Sequence, residues 1–145
     1  MKQSDIAEAI ARKAHAGQFR RDGVTPYITH PERVVATLQA NRPGGLTNNF
    51  FDSMLATAWL HDVLEDCPEI TTETLEADGV DGWVIDHVRG LSNSDGKNYE
   101  DYIRGVKCGT TRRMVKVADI LDNLTDSPTP KQVAKYKRAL MLLAE

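Results

Sequence analysis

The sequence predicts an all-α fold, and three observations predict it. Apolar residues recur at three- and four-residue spacing in segment after segment. No segment alternates apolar and polar residues as a half-buried strand would. Gly, Pro, Asn and Asp cluster between the periodic segments. In chain order, Ile6, Ala9, Ile10, Lys13 and Ala14 predict a first helix ending near Gly17. Residues 18–29 carry Asp22-Gly23 and Thr25-Pro26 and read as a loop. A second helix opens at Thr29-His30-Pro31-Glu32, where Pro31 suits the first helical position and Thr29 with Glu32 has capping-box spacing. Val34, Val35 and Leu38 form its apolar face, and Pro43-Gly44-Gly45 ends it.

A third helix is expected from about Asn48 to Glu65, with Phe51, Leu55, Ala56, Leu60, Val63 and Leu64 facing the core, and Pro68 stopping it. Thr71 or Thr72 begins a short helix through Leu75, and Trp83, Val84, His87 and Val88 mark a face of the next. Ser92-Asn93-Ser94-Asp95-Gly96 is a loop, and helices near 99–107, 111–124 and 131–144 complete the chain.

At 145 residues, with no repeat, linker or low-complexity tract, residues 1–145 read as one domain. Such a chain buries about two-thirds of its unfolded surface, enough for a core without disulfide or metal staples. The formal charge of −3, from 18 Lys+Arg against 21 Asp+Glu, gives no global reason to bind DNA or RNA. Cys67 and Cys108 are too few for a disulfide framework or a thiolate zinc site and suit a reducing compartment. Asp5 and Glu8 fall where a signal peptide needs an apolar run, and nothing approaches the ~18 apolar residues of a membrane span. The expectation is a cytoplasmic protein with neither a nucleic-acid nor a membrane partner.

The informative features are polar residues on faces that should be apolar. On a continuous helix turning 100° per residue, His61, Asp62, Glu65 and Asp66 share an arc of about 140°, opposite Leu60, Val63 and Leu64. Like charges so close repel by a few tenths of a kcal/mol each, which a divalent cation would relieve. Taken alone, the pattern also describes an acidic, solvated helix end. A second cluster places Lys116, Asp119 and Asn123 on one face, with Val117, Leu121 and Leu124 on the other. An Asp within the apolar run Met114–Leu124 is costly to bury unpaired, so it is a metal ligand, the partner of a cation, or a residue at the helix rim. His30 follows a basic loop carrying Arg20 and Arg21 and is either a ligand or a cap. Imidazole and carboxylate together suit Mn²⁺, Fe or Zn²⁺, and the carboxylate share favours the harder ions. Such a metal makes a nucleophile of water near neutral pH. Glu65 and Asp66 are placed to orient that water or carry its proton, and the arginines to hold phosphate oxygens.

Four stretches in this order resemble the HD-domain hydrolases, specifically the hydrolase domain of the RelA/SpoT homologues and the small alarmone hydrolases. They are Ala14-His15-Ala16-Gly17-Gln18-Phe19-Arg20-Arg21, Pro26-Tyr27-Ile28-Thr29-His30-Pro31, Ala58-Trp59-Leu60-His61-Asp62-Val63-Leu64-Glu65-Asp66, and Lys116-Val117-Ala118-Asp119 with Asn123. The resemblance covers roughly residues 3–124 and implies an HD-domain bundle of about seven to eight helices. It implies a Mn²⁺-dependent enzyme of the stringent response, removing the 3′-pyrophosphate of guanosine 3′,5′-bis(diphosphate) (ppGpp, or pppGpp) to leave GDP (or GTP). By the same resemblance His30, His61, Asp62 and Asp119 are metal ligands, and Glu65 and Asp66 are catalytic. Arg20, Arg21 and Asn123 then bind substrate, while Lys116 supports Asp119. His15 also matches and reads better as a packed helix residue.

Three departures stand out: Asp122 where members often have His, Cys67 where Thr is common, and only one helix after Asn123. The length implies no attached synthetase domain. Two other readings are an HD phosphohydrolase of another nucleotide, such as a nicotinamide dinucleotide phosphate, and a metal- or nucleotide-sensing module without turnover. Whether like chains assemble is left open.

Overall fold

The computed structural model describes residues 1–145 as nine α-helices and no sheet. They are α1 (Gln3–Ala14), α2 (Thr29–Ala40), α3 (Asn48–Leu60), α4 (Val63–Asp66), α5 (Thr72–Ala77), α6 (Gly82–Leu91), α7 (Tyr99–Val106), α8 (Thr110–Asn123) and α9 (Pro130–Ala144). The all-α expectation is met, and none of the helices is long and apolar enough to cross a membrane.

Eight expected helices become nine because the third one breaks. In a continued helix the Ala58 carbonyl would accept from the Asp62 N–H. Here it accepts from His61 Nδ1 at 2.7 Å, so a side chain takes an acceptor of the ladder. His61 and Asp62 therefore sit in a turn between α3 and α4. The common-face argument for His61, Asp62, Glu65 and Asp66 assumed an unbroken helix and is corrected accordingly.

The start of α2 also differs. Thr29 is its first residue, and its hydroxyl donates to the Pro26 carbonyl at 2.8 Å instead of capping a helix N–H, so no capping box with Glu32 forms. Capping boxes form at Thr71–Thr74 and Thr129–Gln132.

One contiguous core runs through the bundle. Ala7, Ala11 and Ala14 recur along the buried side of α1, and their small side chains let it lie close to α3. On α3 the buried Phe51, Met54, Leu55, Ala58, Trp59 and Leu60 face inward, and α2 packs against both α3 and α8 with Val34, Val35 and Leu38. Burying each such aliphatic side chain contributes roughly 1.5–3 kcal/mol. On α8 the buried face is Val115, Ala118, Asp119, Ile120 and Asp122. Leu121, expected on the apolar side, is 45% exposed. On α6, Val84 and Val88 are buried, while Trp83 stays at the rim with His87 against its ring, centroids 4.0 Å apart. Cys67 and Cys108 are both free, the first buried and the second exposed.

Candidate metal centre

Three segments converge on one point: the start of α2, the α3–α4 turn and the middle of α8. The segment before α2 is a tight hairpin. Arg20 N–H donates to the Thr25 carbonyl and Tyr27 N–H to the Gln18 carbonyl, both at 2.8 Å. Between them the Asp22 carboxylate accepts from the Val24 and Thr25 N–H groups, and Gly23 takes the left-handed conformation (φ 72°) that this turn requires. The hairpin delivers Tyr27 and His30 to the interior. His15, at the end of α1, is buried against the Tyr27 ring with centroids 4.8 Å apart, in keeping with a packing role.

His30 Nε2 lies 2.8 Å from Asp119 Oδ1, 3.2 Å from His61 Nε2 and 3.5 Å from Asp62 Oδ2. His61 Nε2 lies 3.0 Å from Asp62 Oδ2 and 3.3 Å from Asp119 Oδ1. One nitrogen or oxygen from each of His30, His61, Asp62 and Asp119 thus falls within 4.8 Å of all the others, a spacing that suits a single divalent cation. The structure brings together all four residues expected as ligands.

The electrostatics fit such a site. Burial alone would depress His30, but hydrogen bonds to Asp119, Asp122 and Asp62 outweigh it and lift its pKa to about 11. His61 is likewise disfavoured as a cation by burial yet lifted to about 10 by Asp62 and Asp119. Burial would raise the two aspartates; instead attraction to His61 and hydrogen bonding from His30 lower Asp62, and the Lys116 ammonium foremost lowers Asp119. A cation bound among these atoms would take the place of the imidazole protons.

Neighbouring residues fix the side chains of the cluster. Tyr27 donates its hydroxyl to Asp62 Oδ2 at 2.5 Å. Lys116 Nζ donates to Asp119 Oδ2 at 2.7 Å, and Asn123 Nδ2 to Asp119 Oδ1 at 3.1 Å, so the i, i+3, i+7 face of α8 is assembled as the spacing implied. On α4, Glu65 and Asp66 are exposed at the mouth. Glu65 Oε1 accepts from the Asn93 N–H at 2.6 Å, which ties it to the α6–α7 loop. Desolvation and the nearby Asp62 raise the Asp66 carboxyl above the usual range.

The arginines sit differently from one another. Arg20 is buried, with Nη1 2.8 Å from Asp122 Oδ2 and Nε 3.3 Å from Asp126 Oδ2. Arg21 is exposed and donates to Gln132 Oε1 and to the Ser127 carbonyl near the start of α9. Sequence reasoning missed two features. Asp122, read only as a departure, is buried beneath His30; its i+3 spacing from Asp119 was the available signal. The second lies on α7 and α9, where Lys135 is over the Tyr99 ring at 4.1 Å and near Tyr136 at 5.7 Å. Burial pushes both tyrosine hydroxyls up, and the Asp119 carboxylate adds to the rise while the Lys116 ammonium opposes it.

No family model matches the chain. It is 39% identical over 92 residues to a guanosine-3′,5′-bis(diphosphate) 3′-pyrophosphohydrolase of Vibrio cholerae, a match covering 63% of this chain and 12% of that protein. It is 35% identical over 95 residues to the bifunctional (p)ppGpp synthase/hydrolase SpoT of Escherichia coli, covering 66% of this chain and 12% of SpoT. The chain therefore spans about an eighth of the curated relatives it matches. Among solved structures, a metazoan ortholog of SpoT that hydrolyzes ppGpp superimposes with a TM-score of 0.78 at 24% identity, over 97% of this chain and 85% of that one. The fold is accordingly the all-α HD type, and the chain is similar in sequence to ppGpp 3′-pyrophosphohydrolases.

Proposed function

We propose that residues 1–145 form a single metal-dependent hydrolase domain that removes the 3′-pyrophosphate of guanosine 3′,5′-bis(diphosphate). The observation that carries this reading is the convergence of His30, His61, Asp62 and Asp119 within 4.8 Å, with two carboxylates at the mouth and an arginine loop beside it. The similarity to proteins named for this activity supports it. His30, His61, Asp62 and Asp119 would hold Mn²⁺, the divalent ion that a carboxylate-rich set with imidazoles favours, which would supply positive charge and acidify a water.

The chain's own residues do the rest. Water oxygen attacks the phosphorus attached to the ribose 3′ oxygen; that P–O bond breaks, a proton returns to the 3′ oxygen, and GDP and pyrophosphate leave. Asp66, with its raised pKa, takes a proton from the water. Glu65, fixed by the Asn93 N–H, orients it. Arg21, exposed on the hairpin, meets the outer phosphates, and Arg20 adds positive potential behind it. Asn123 keeps its amide oxygen for a ribose hydroxyl while its Nδ2 holds Asp119. With two free cysteines, a small nucleotide as partner and no basic excess, the working compartment is the cytoplasm.

The test is pyrophosphate release from ppGpp with Mn²⁺, beside EDTA and Asp62→Ala. Release that needs metal and disappears in the variant is the expected result. Turnover of a different nucleotide in place of ppGpp would overturn the substrate, and metal binding without turnover of any would overturn the enzyme.

A further inference from the structure

The two histidines of the cluster present the same nitrogen inward and are held from behind in different ways. His61 Nδ1 donates to a neutral backbone acceptor, the Ala58 carbonyl, at 2.7 Å. His30 Nδ1 donates to a carboxylate, Asp122 Oδ2, at 2.7 Å. Asp122 is 5% exposed and sits one helical turn after Asp119, so neighbouring turns of α8 grip the same imidazole at its two nitrogens.

Asp122 is itself clamped. Its Oδ2 also accepts from Arg20 Nη1 at 2.8 Å, and its Oδ1 lies 2.6 Å from Arg33 Nε. Arg20 is held in turn by Asp126. Two guanidinium groups would satisfy this carboxylate without any histidine. The bond to His30 is thus an added contact, made to the ring nitrogen opposite the ligand atom. An anionic acceptor there prevents the ring from flipping, keeps the hydrogen on Nδ1 and makes Nε2 a stronger donor to a metal.

We propose that Asp122 is a positioning residue, locking His30 with Nε2 toward the metal and strengthening it as a ligand, while Arg20 and Arg33 hold the Asp122 carboxylate in place. Arg20 on this account acts through Asp122 as much as through substrate. The inference rests on reading the four-residue cluster as a metal site, and its test needs no substrate.

The probe is Zn²⁺, which is diamagnetic. Its affinity is measured by competition with a chromophoric chelator, and imidazole N–H signals are read on ¹⁵N-histidine-labelled protein. In the wild type, exchange-protected Nδ1–H signals are expected for His30 and for His61, beside that of the buried His15, whose Nδ1 donates to Gln18 Oε1 at 2.8 Å. Asp122→Ala loses the His30 signal, keeps that of His61 and binds Zn²⁺ about 10–100-fold more weakly. Asp122→Asn retains an acceptor without the charge, so it keeps the signal and loses less affinity. A folded Asp122→Ala with both signals and wild-type affinity overturns the proposal. Should that variant not fold, Asp122→Asn decides: wild-type affinity overturns the proposal, and an intermediate loss with the signal retained sustains it. A wild-type chain that binds no Zn²⁺ overturns this inference together with the metal site. Asp122-dependent binding without ppGpp turnover overturns only the substrate reading.

Discussion

Two segments, α8 and the turn after α3, each supply an aspartate to the cluster, and they do so in opposite ways. On α8 the helix runs unbroken through Lys116, Asp119, Asp122 and Asn123. Asp119 carries its own neutralisation, with Lys116 at i−3 and Asn123 at i+4, and its side chain is 4% exposed. On α3 the helix stops at Leu60, and Asp62 sits in the turn beyond it, its side chain 19% exposed. Its partners are the Tyr27 hydroxyl and two imidazoles, none of them a permanent cation. A helix with a built-in ammonium keeps a buried acid without breaking. The other acid depends on residues from other elements.

That contrast predicts unequal costs for equal substitutions. In the presence of EDTA, Asp119→Ala strands the Lys116 ammonium in the interior, and breaking a buried pair on one side costs about 3–5 kcal/mol. Asp62→Ala leaves a hydroxyl and two buried imidazoles that Asp119 Oδ1 still partners at 2.8 and 3.3 Å, at about 1–2 kcal/mol. Urea unfolding of both variants measures the difference, and equal losses would break the comparison. Both are expected to abolish tight metal binding, so affinity alone does not separate them.

Metal should stabilise the wild type in proportion to occupancy, by about 2.7 kcal/mol at a hundred times Kd. The sign of its pH dependence follows from the raised histidines. His30 and His61, lifted to about 11 and about 10, carry protons at neutral pH without metal, and Mn²⁺ must displace them. The metal-induced rise in Tm at a fixed Mn²⁺ concentration is therefore larger at pH 8 than at pH 6. The reverse order would show that the imidazoles are not ligands.

A smaller effect tests the α3 side alone. Tyr27→Phe deletes the hydroxyl donated to Asp62 and should cost roughly 1.5 kcal/mol, typical for a hydrogen bond to a charged group. Because Asp62 loses a fixed partner, metal affinity falls as well. Stability that drops without any change in affinity would make Tyr27 a packing residue only.

How legible the chain was divides along the same line. Helix periodicity gave the all-α class and nearly every element, because each helix buries one stripe of a single core. Lys116, Asp119 and Asn123 were readable as a face because α8 is regular. The break after Leu60 was not, since it follows from a His61 side chain taking a backbone carbonyl, an event with no periodic signature. Thr29 misled for a related reason: its capping-box spacing was real, but the hairpin offered the Pro26 carbonyl first. Asp122 lay hidden because a residue type alone does not reveal that its partners, His30, Arg20 and Arg33, come from elsewhere in the chain.

The smallest effect concerns the rotation of α8 itself. The spacing sets Val117, Leu121 and Leu124 opposite the polar face and so puts Leu121 on the apolar side of α8. In the structure the core side is Val115, Ala118 and Ile120, and Leu121 is 45% exposed beside Met114 and Val117. The rotation is set by the need to bury Asp119 and Asp122 against α2, which carries the apolar side of α8 partly to the surface. Leu121→Ser should accordingly change stability by no more than about 0.5 kcal/mol, as is usual for surface substitutions. A loss of about 2–5 kcal/mol, the cost of truncating a buried leucine, would place Leu121 in the core and turn the two aspartates away from the cluster. The urea midpoint of this one variant therefore reports on the orientation of the helix that carries Asp119 and Asp122.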